Sequence, residues 1–378
     1  MRNITVLSQG DASSSKTWSN IPYFLVETLR QKGLKVNVVN VDVSGFGRVF
    51  FDRFFCPALR HTFLPDTTFS YDRTSFFQNK AKKIISSAVS SNPDTDVFIS
   101  TSFSFLPDSI PGKHKVLLCD WTYEYLISHF KNRKSDCFEK SGIKLQDEVI
   151  RQADKVISLF PDVADYMSSY YGSDKVKYLG NVINSLRFEL DNFQLQKRLI
   201  SPHLVFVGLP KYIEGLKSLI SSMELLCNLY PELQLDVIGM SEGDVPFSCP
   251  RNVLFHGYLE KSDASQLALY DSILKNAVAF INTTPNWAGF SSALEAMYYG
   301  LPIYTSRYKS FEETFGSKPD FGDYCENNTP EEIVSFVERI LKMSPDSYLD
   351  MCLCSRKKAE PFTWSAYVDN LLSELDKL

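Results

Sequence analysis

The stretch Asn282-Thr-Thr-Pro-Asn-Trp-Ala-Gly-Phe-Ser-Ser-Ala-Leu-Glu-Ala-Met-Tyr-Tyr-Gly-Leu-Pro-Ile-Tyr-Thr-Ser306 reads as strand, glycine-containing loop, short helix, tight turn and strand. Gly289 lets the backbone approach a ligand closely. Free amides at the start of a helix near Ser292, together with the helix dipole, favour an anion there. A diphosphate suits such a place. Glu295, expected in the first helical turn, can accept two hydroxyl hydrogens from a sugar ring such as ribose. The same letters also form a capping box, Ser292-Ala-Leu-Glu295, in which the glutamate satisfies its own helix backbone. Local pattern alone leaves both open.

Working outward, short β-branched runs alternate with longer segments of helical period. Ile4 to Leu7, Trp18 to Lys32, Val36 to Val41, Val97 to Ser100 and Val116 to Cys119 form a first series. Leu204 to Val207, a helix from about Gly215 to Leu229, Leu235 to Ile238, Leu254-Phe255 and Val278 to Ile281 form a second. The alternation predicts α/β architecture with parallel sheets covered by helices, and the restart predicts two doubly wound, Rossmann-like domains. The 378 residues are enough for two cores. The expected domains are residues 1–185 and 202–358, with Asn181 to Ser201 as a polar linker. An amphipathic helix over Phe362 to Leu375, started near Ser365, closes the chain and needs a surface to cover. Ligands of open parallel sheets bind beyond the strands' carboxyl ends, so a central cleft between the two domains is the expected site.

Composition narrows the function classes. A net charge of −5, from 40 Lys and Arg against 45 Asp and Glu, opposes nucleic-acid binding by bulk electrostatics. Eight scattered cysteines without a CxxC pair read as reduced thiols, and five isolated histidines supply no metal-ligand cluster, so no metal is expected. Met1 to Val6 runs straight into a strand pattern without a secretory leader, and no apolar stretch reaches the roughly 20 residues of a membrane span. The expected location is the cytoplasm.

The stretch around Glu295 resembles the donor-site signature of the GT-B glycosyltransferases, especially family 4 (glycosyl transferases group 1). The matching residues are Gly289, Phe290, Ser291, Leu294, Glu295, Ala296, Met297, Gly300, Leu301 and Pro302. Val205-Phe-Val-Gly208 with Glu214-Gly215-Leu216 is similar to the family's opening of the donor domain. Arg151 to Ser158 and Val176 to Ile183 are similar to the end of its acceptor domain and the crossover, and Phe362 to Leu375 to the terminal helix that packs back on the N-terminal domain. The resemblance implies a nucleotide-sugar donor site in the C-terminal domain and an acceptor site in the N-terminal one. Glu295 is implied to bind the ribose. Ser291 and Ser292 are implied to meet the diphosphate, with Gly289, Phe290 and Gly208 around it. The implied donor is a nucleoside-diphosphate sugar, a UDP-sugar by preference, and no cofactor is implied.

Two departures stand out. The family's first glutamate, eight positions before the second, is Trp287 here. The Arg and Lys that neutralise the diphosphate are represented by Leu209 and Glu214. Lys211 can substitute from a neighbouring position, or it is a solvated surface lysine.

In the N-terminal half, Val116-Leu-Leu-Cys-Asp120 is a buried-strand pattern ending in a carboxylate at its tip. Asp120 is the candidate general base of an inverting transfer; the competing role is a cap for a helix beginning near Trp121. A retaining transfer relies instead on donor phosphate and backbone. Gly10 corresponds loosely to the family's first glycine-bearing loop, although Ser8 to Lys16 lacks a GxGxxG and an ordinary polar loop explains it equally. Phe46 to Phe63 interleaves phenylalanines with Arg48, Arg53, Arg60 and His61. This pattern suits peripheral contact with lipid at the inner face of a membrane, or a half-buried core with exposed arginines.

The function expected from the whole is transfer of a sugar from a nucleoside-diphosphate donor to a glycan or lipid-linked acceptor in surface polysaccharide assembly. The rivals are a sugar-nucleotide epimerase and a catalytically silent scaffold, the latter favoured by Trp287.

Overall fold

The computed structural model describes residues 2–14, 17–184 and 189–378. The chain divides into two compact units, Met1–Asn181 with Trp364–Leu378, and Val182–Thr363.

The first unit is built on six strands, β1 (Asn3–Ser8), β2 (Lys35–Asn40), β3 (Val97–Ser100), β4 (His114–Cys119), β5 (Lys155–Ser158) and β6 (Val176–Tyr178). All pair in parallel, in the order β2-β1-β3-β4-β5-β6. Helices on both faces explain why the central strands are apolar on both sides: Val116, Leu117 and Leu118 of β4 are all fully buried. The terminal helix Trp364–Leu375 belongs to this unit. Its Trp364 stacks on Phe24 of the helix Ile21–Gln31 (6.4 Å between centroids), and Asp369 pairs with Lys32 at 2.7 Å. Ser365 lies inside its first turn and does not precede it.

The second unit holds β7 (His203–Val207), β8 (Gln234–Ile238), β9 (Val253–Gly257), β10 (Ala279–Asn282), β11 (Ile303–Ser306) and β12 (Gly322–Cys325). The order is β12-β11-β10-β7-β8-β9, again all parallel. Strand order therefore reverses between β7 and β10, the arrangement of a dinucleotide-binding sheet, whose ligands sit at that switch point. Leu204, Phe206, Leu235 and Val237 turn one face of this sheet to Leu219, Met223, Ile333 and Phe336 of the covering helices.

One expectation changes. Asn181 to Ser201 is not simply a linker, although residues 185–188 lie outside the described residues. Asp191 caps a helix Asn192–Lys197 whose Leu195 enters the core of the second unit. The buried Arg198 guanidinium donates to the carbonyls of Leu274, Lys275, Tyr299 and Gly300. It thereby satisfies the last turn of the helix Ala264–Asn276 and the two carbonyls just past the end of Phe290–Tyr298. The second helix ends as Gly300 requires. With φ at +69°, Gly300 N–H bonds Met297 O and Leu301 N–H bonds Ala296 O, a Schellman motif, and Pro302 prevents continuation.

Candidate functional site

At the switch point of the second unit, one helix follows each strand: Ile213–Leu229 after β7 and Phe290–Tyr298 after β10. Their beginnings adjoin. A Cβ on Gly215 would lie 2.4 Å from Thr284 Oγ1 and 2.5 Å from its backbone nitrogen, so only glycine lets the first helix meet the loop after β10. Thr284 Oγ1 lies 2.7 Å from Asn282 Oδ1, and its hydroxyl also lies 3.1 Å from Tyr212 O. Gly208 leaves β7 with Phe206 and Tyr212 against it.

Asn282, at the carboxyl tip of β10, is 0% exposed. Its Oδ1 accepts from Thr284 N–H (3.2 Å), which fixes the amide's orientation. Its Nδ2 is then left buried without a hydrogen-bond partner, 3.7 Å from the Cβ position of Gly289. Buried donors are rarely left unpaired, because each costs about 1–3 kcal/mol. This donor sits beside the N-terminus of Phe290–Tyr298, and the two together favour an acceptor-rich anion. Sequence reasoning did not single out Asn282, although a polar residue ending a buried apolar strand was the available signal.

Gly289 is the N-cap of that helix, at φ +76°, and Ser292 Oγ donates back to Gly289 O at 2.7 Å. The helix therefore starts at Phe290, earlier than expected. Glu295 falls in the second turn and takes no part in a capping box, which corrects both the first-turn placement and the capping alternative. Its carboxylate, 6% exposed, instead pairs with Lys261 Nζ and accepts from Tyr270 Oη at 2.8 Å. Lys261 Nζ also donates to Asn184 O (2.9 Å) and lies 4.3 Å from the centroid of the Tyr270 ring. Burial, and then the adjacent Glu295 charge, push the Tyr270 hydroxyl pKa well up, so it stays a donor. With two oxygens and about four lone-pair sites, the carboxylate keeps capacity for further donors. Lys261 was missed because nothing local to Leu259-Glu-Lys-Ser marks it.

Ser291 and Ser292 occupy the first turn, half-buried. The Phe290 side chain packs on Phe311 (5.5 Å) and Phe315 (6.3 Å), away from the role the resemblance implies for it. Lys211 is exposed on the turn Pro210–Tyr212, with Nζ 5.0 Å from the Tyr212 ring centroid. Trp287, where the resemblance has a carboxylate, packs against Tyr308 at 5.2 Å.

Asp120 and Gly10 belong to the other unit. Gly10 follows β1, at that sheet's own β1–β3 switch point, with its N–H on Asn40 Oδ1 (3.0 Å) and its carbonyl accepting from Ser8 Oγ (2.6 Å). Ser15 and Lys16 of this loop lie outside the described residues. Asp120 follows β4, half-buried, and its Oδ1 accepts from Trp121 N–H (2.9 Å) and Cys119 Sγ (3.2 Å). The helical turn Tyr123–Tyr125 is capped by Thr122, whose Oγ1 accepts from Tyr125 N–H, so Asp120 is not its cap. Burial, then the Asp120 charge, drive the Cys119 thiol pKa well up and keep it protonated. Arg73, which lies over the Tyr123 ring at 4.3 Å, has its pKa lowered by burial, an effect the Asp120 charge partly offsets.

No family model and no curated protein matches the sequence. Solved structures match its fold. Sucrose-phosphate synthase from Thermosynechococcus elongatus aligns over 100% of this chain and 99% of its own, with TM-score 0.68 and 15% identity. Anabaena HepE, in complex with UDP-glucose, aligns over 100% of both chains with TM-score 0.64 and 13% identity. WaaB, a lipopolysaccharide outer core galactosyltransferase in its apo form, does so with TM-score 0.57 and 14% identity.

The fold is GT-B. At these identities the likeness is one of fold, and the GT-B architecture is reached here with a sequence largely its own. Among the described residues no group of three or more His, Cys, Asp or Glu side chains is arranged to hold a metal ion, and no helix is long and apolar enough to cross a membrane.

Proposed function

We propose that the chain is a glycosyltransferase moving a sugar from a UDP-sugar to a glycan or lipid-linked acceptor in surface polysaccharide assembly, with the second unit binding the donor and the first the acceptor. The observation that carries this is the unpaired Asn282 Nδ2 beside the Phe290–Tyr298 N-terminus at the β7–β10 switch point. It is a place suited to a diphosphate, one turn before a buried carboxylate suited to ribose hydroxyls. That HepE has been crystallised with UDP-glucose supports the choice of nucleotide.

In this proposal the acceptor hydroxyl attacks the anomeric carbon while the bond from that carbon to the diphosphate oxygen breaks. The new glycosidic bond forms, UDP leaves with the bonding electron pair, and the hydroxyl proton passes to Asp120 in an inverting transfer. Helix amides, Asn282 and Lys211 stabilise the departing diphosphate. Lys261 pairs with Glu295 and holds it oriented, so the ribose meets a preorganised acceptor.

The test is a thermal-shift panel of UDP, GDP, dTDP, CMP and ADP, followed by turnover with the matching nucleotide-sugar. A ligand at about a hundredfold its Kd adds about 2.7 kcal/mol of apparent stability. UDP stabilisation with UDP release only when acceptor is added supports the proposal, and Asp120→Asn then keeps UDP binding while losing transfer. Trp287 in place of a carboxylate favours one rival, a silent scaffold; binding without turnover selects it, and conversion of donor without acceptor selects an epimerase. No stabilisation by any nucleotide refutes the donor site.

A further inference from the structure

Residues 46–62 form one continuous helical segment: α-helical over Phe46–Phe50, widened to a π-helix over Phe51–Phe55, and α-helical again over Cys56–Thr62. One side is anchored in the first unit. Phe51 packs on Tyr71 (5.4 Å) and Phe55 on Phe138 (5.9 Å), Cys56 and Leu59 are buried, and Arg48 bonds Val43 O and pairs with Asp72. The other side is apolar and open. Phe46 is 86%, Phe54 63% and Phe63 80% exposed, with Phe50 and Val49 about half exposed. The wider π turn slows rotation per residue, which keeps the i, i+4 series Phe46, Phe50, Phe54 on one side. Phe76, at the start of the helix Ser75–Ser91, extends the ridge, 64% exposed and 6.4 Å from Phe51.

A contiguous exposed aromatic ridge is a cost in water that a soluble monomer rarely carries without use. Its setting is basic. Residues 42–83 contain seven Lys or Arg against four Asp and no Glu, in a chain whose net charge is −5. Arg53, Arg60, Lys80, Lys82 and Lys83 are exposed against Asp42, Asp52 and Asp66, while Asp72 is committed to Arg48, so the exposed balance stays positive. Two copies meeting through this face about a two-fold axis would set like charges against one another. An anionic bilayer instead accepts phenylalanines at the headgroup–acyl boundary and cations at its surface.

We propose that this helical ridge is a membrane-docking surface that seats Phe46, Phe50, Phe54 and Phe76 in an anionic lipid leaflet. It goes beyond sugar transfer and does not depend on it. The test is flotation of the full chain with vesicles of phosphatidylcholine alone and of phosphatidylcholine with phosphatidylglycerol. The wild type is expected to float with the anionic vesicles, less so as salt rises. Phe46→Glu/Phe54→Glu, at outward-facing rings, should keep the melting temperature and circular dichroism while the membrane-bound fraction falls at least tenfold.

Flotation of the double variant at wild-type levels, or no flotation of the wild type with either vesicle, overturns the proposal. So does a wild-type dimer in sedimentation that the double variant dissociates, since the ridge is then a self-association face. UDP stabilisation measured on the same variant reports the donor site separately: its loss in both proteins counts against sugar-nucleotide binding alone.

Discussion

The buried pair Glu295–Lys261 makes a sharp energetic prediction. Glu295→Ala leaves the buried Tyr270 hydroxyl without its 2.8 Å acceptor, at about 1–3 kcal/mol. It also strands the Lys261 ammonium. Losing one partner of a buried pair costs about 3–5 kcal/mol, but Lys261 keeps its bond to Asn184 O and 15% of its side chain reaches solvent, which reduces that figure. The two effects overlap, because both describe one carboxylate, and a combined loss of about 3 kcal/mol is expected. Adding Lys261→Met removes the stranded charge and should return about 1 kcal/mol. Urea unfolding of wild type, both single variants and the double variant closes the cycle. A Glu295→Ala protein within about 0.5 kcal/mol of wild type would mean the carboxylate is solvated, and the preorganised ribose acceptor would be refuted.

Three further outcomes follow from named contacts. Asn282→Asp keeps the acceptor for Thr284 N–H but replaces the unpaired donor with a buried negative charge, so the melting temperature should fall and UDP affinity, measured by calorimetry below the variant's unfolding transition, should drop at least tenfold. Gly215→Ala drives a methyl into Thr284 at 2.4 Å and should cost about 1–3 kcal/mol in urea unfolding; an unchanged midpoint would show that the helix and loop yield freely. In the first unit, burial alone would raise the Glu139 pKa, but the two terminal guanidinium nitrogens of Arg133 and the backbone N–H groups of Thr68 and Asp136 overcome burial and hold it at about 2. Because the folded value lies below the unfolded value of about 4.3, this stabilisation is full above pH 4.3 and fades as pH falls toward 2. Glu139→Gln should flatten that acid limb in a pH series of unfolding midpoints.

The sheets were legible because burial on both faces leaves uninterrupted apolar runs, such as Val116 to Leu118 in β4 and Ala279 to Ile281 in β10. Edge strand β12 was not. Its polar Gly322 and Asp323 carry no period, and Gly322 is there because a Cβ would lie 2.0 Å from Ile303 O. The site was legible where function is written in one continuous stretch, around Gly289 and Glu295. It was illegible where folding joins distant residues: Lys261 reaches Glu295 across 34 positions, and Arg198, inside the expected linker, binds carbonyls up to 102 positions away. The start of the helix at Phe290 was misplaced because a left-handed Gly289 acts as N-cap without offering a side chain to recognise.

Hydrogen exchange followed by mass spectrometry, with and without UDP, tests the central claim most directly, since it locates the nucleotide on the chain. Slowed exchange in peptides covering residues 208–216 and 283–292, the loops and helix starts at the β7–β10 switch point, is the predicted result. Unchanged exchange in both segments under saturating UDP, or protection confined to other segments, would contradict it.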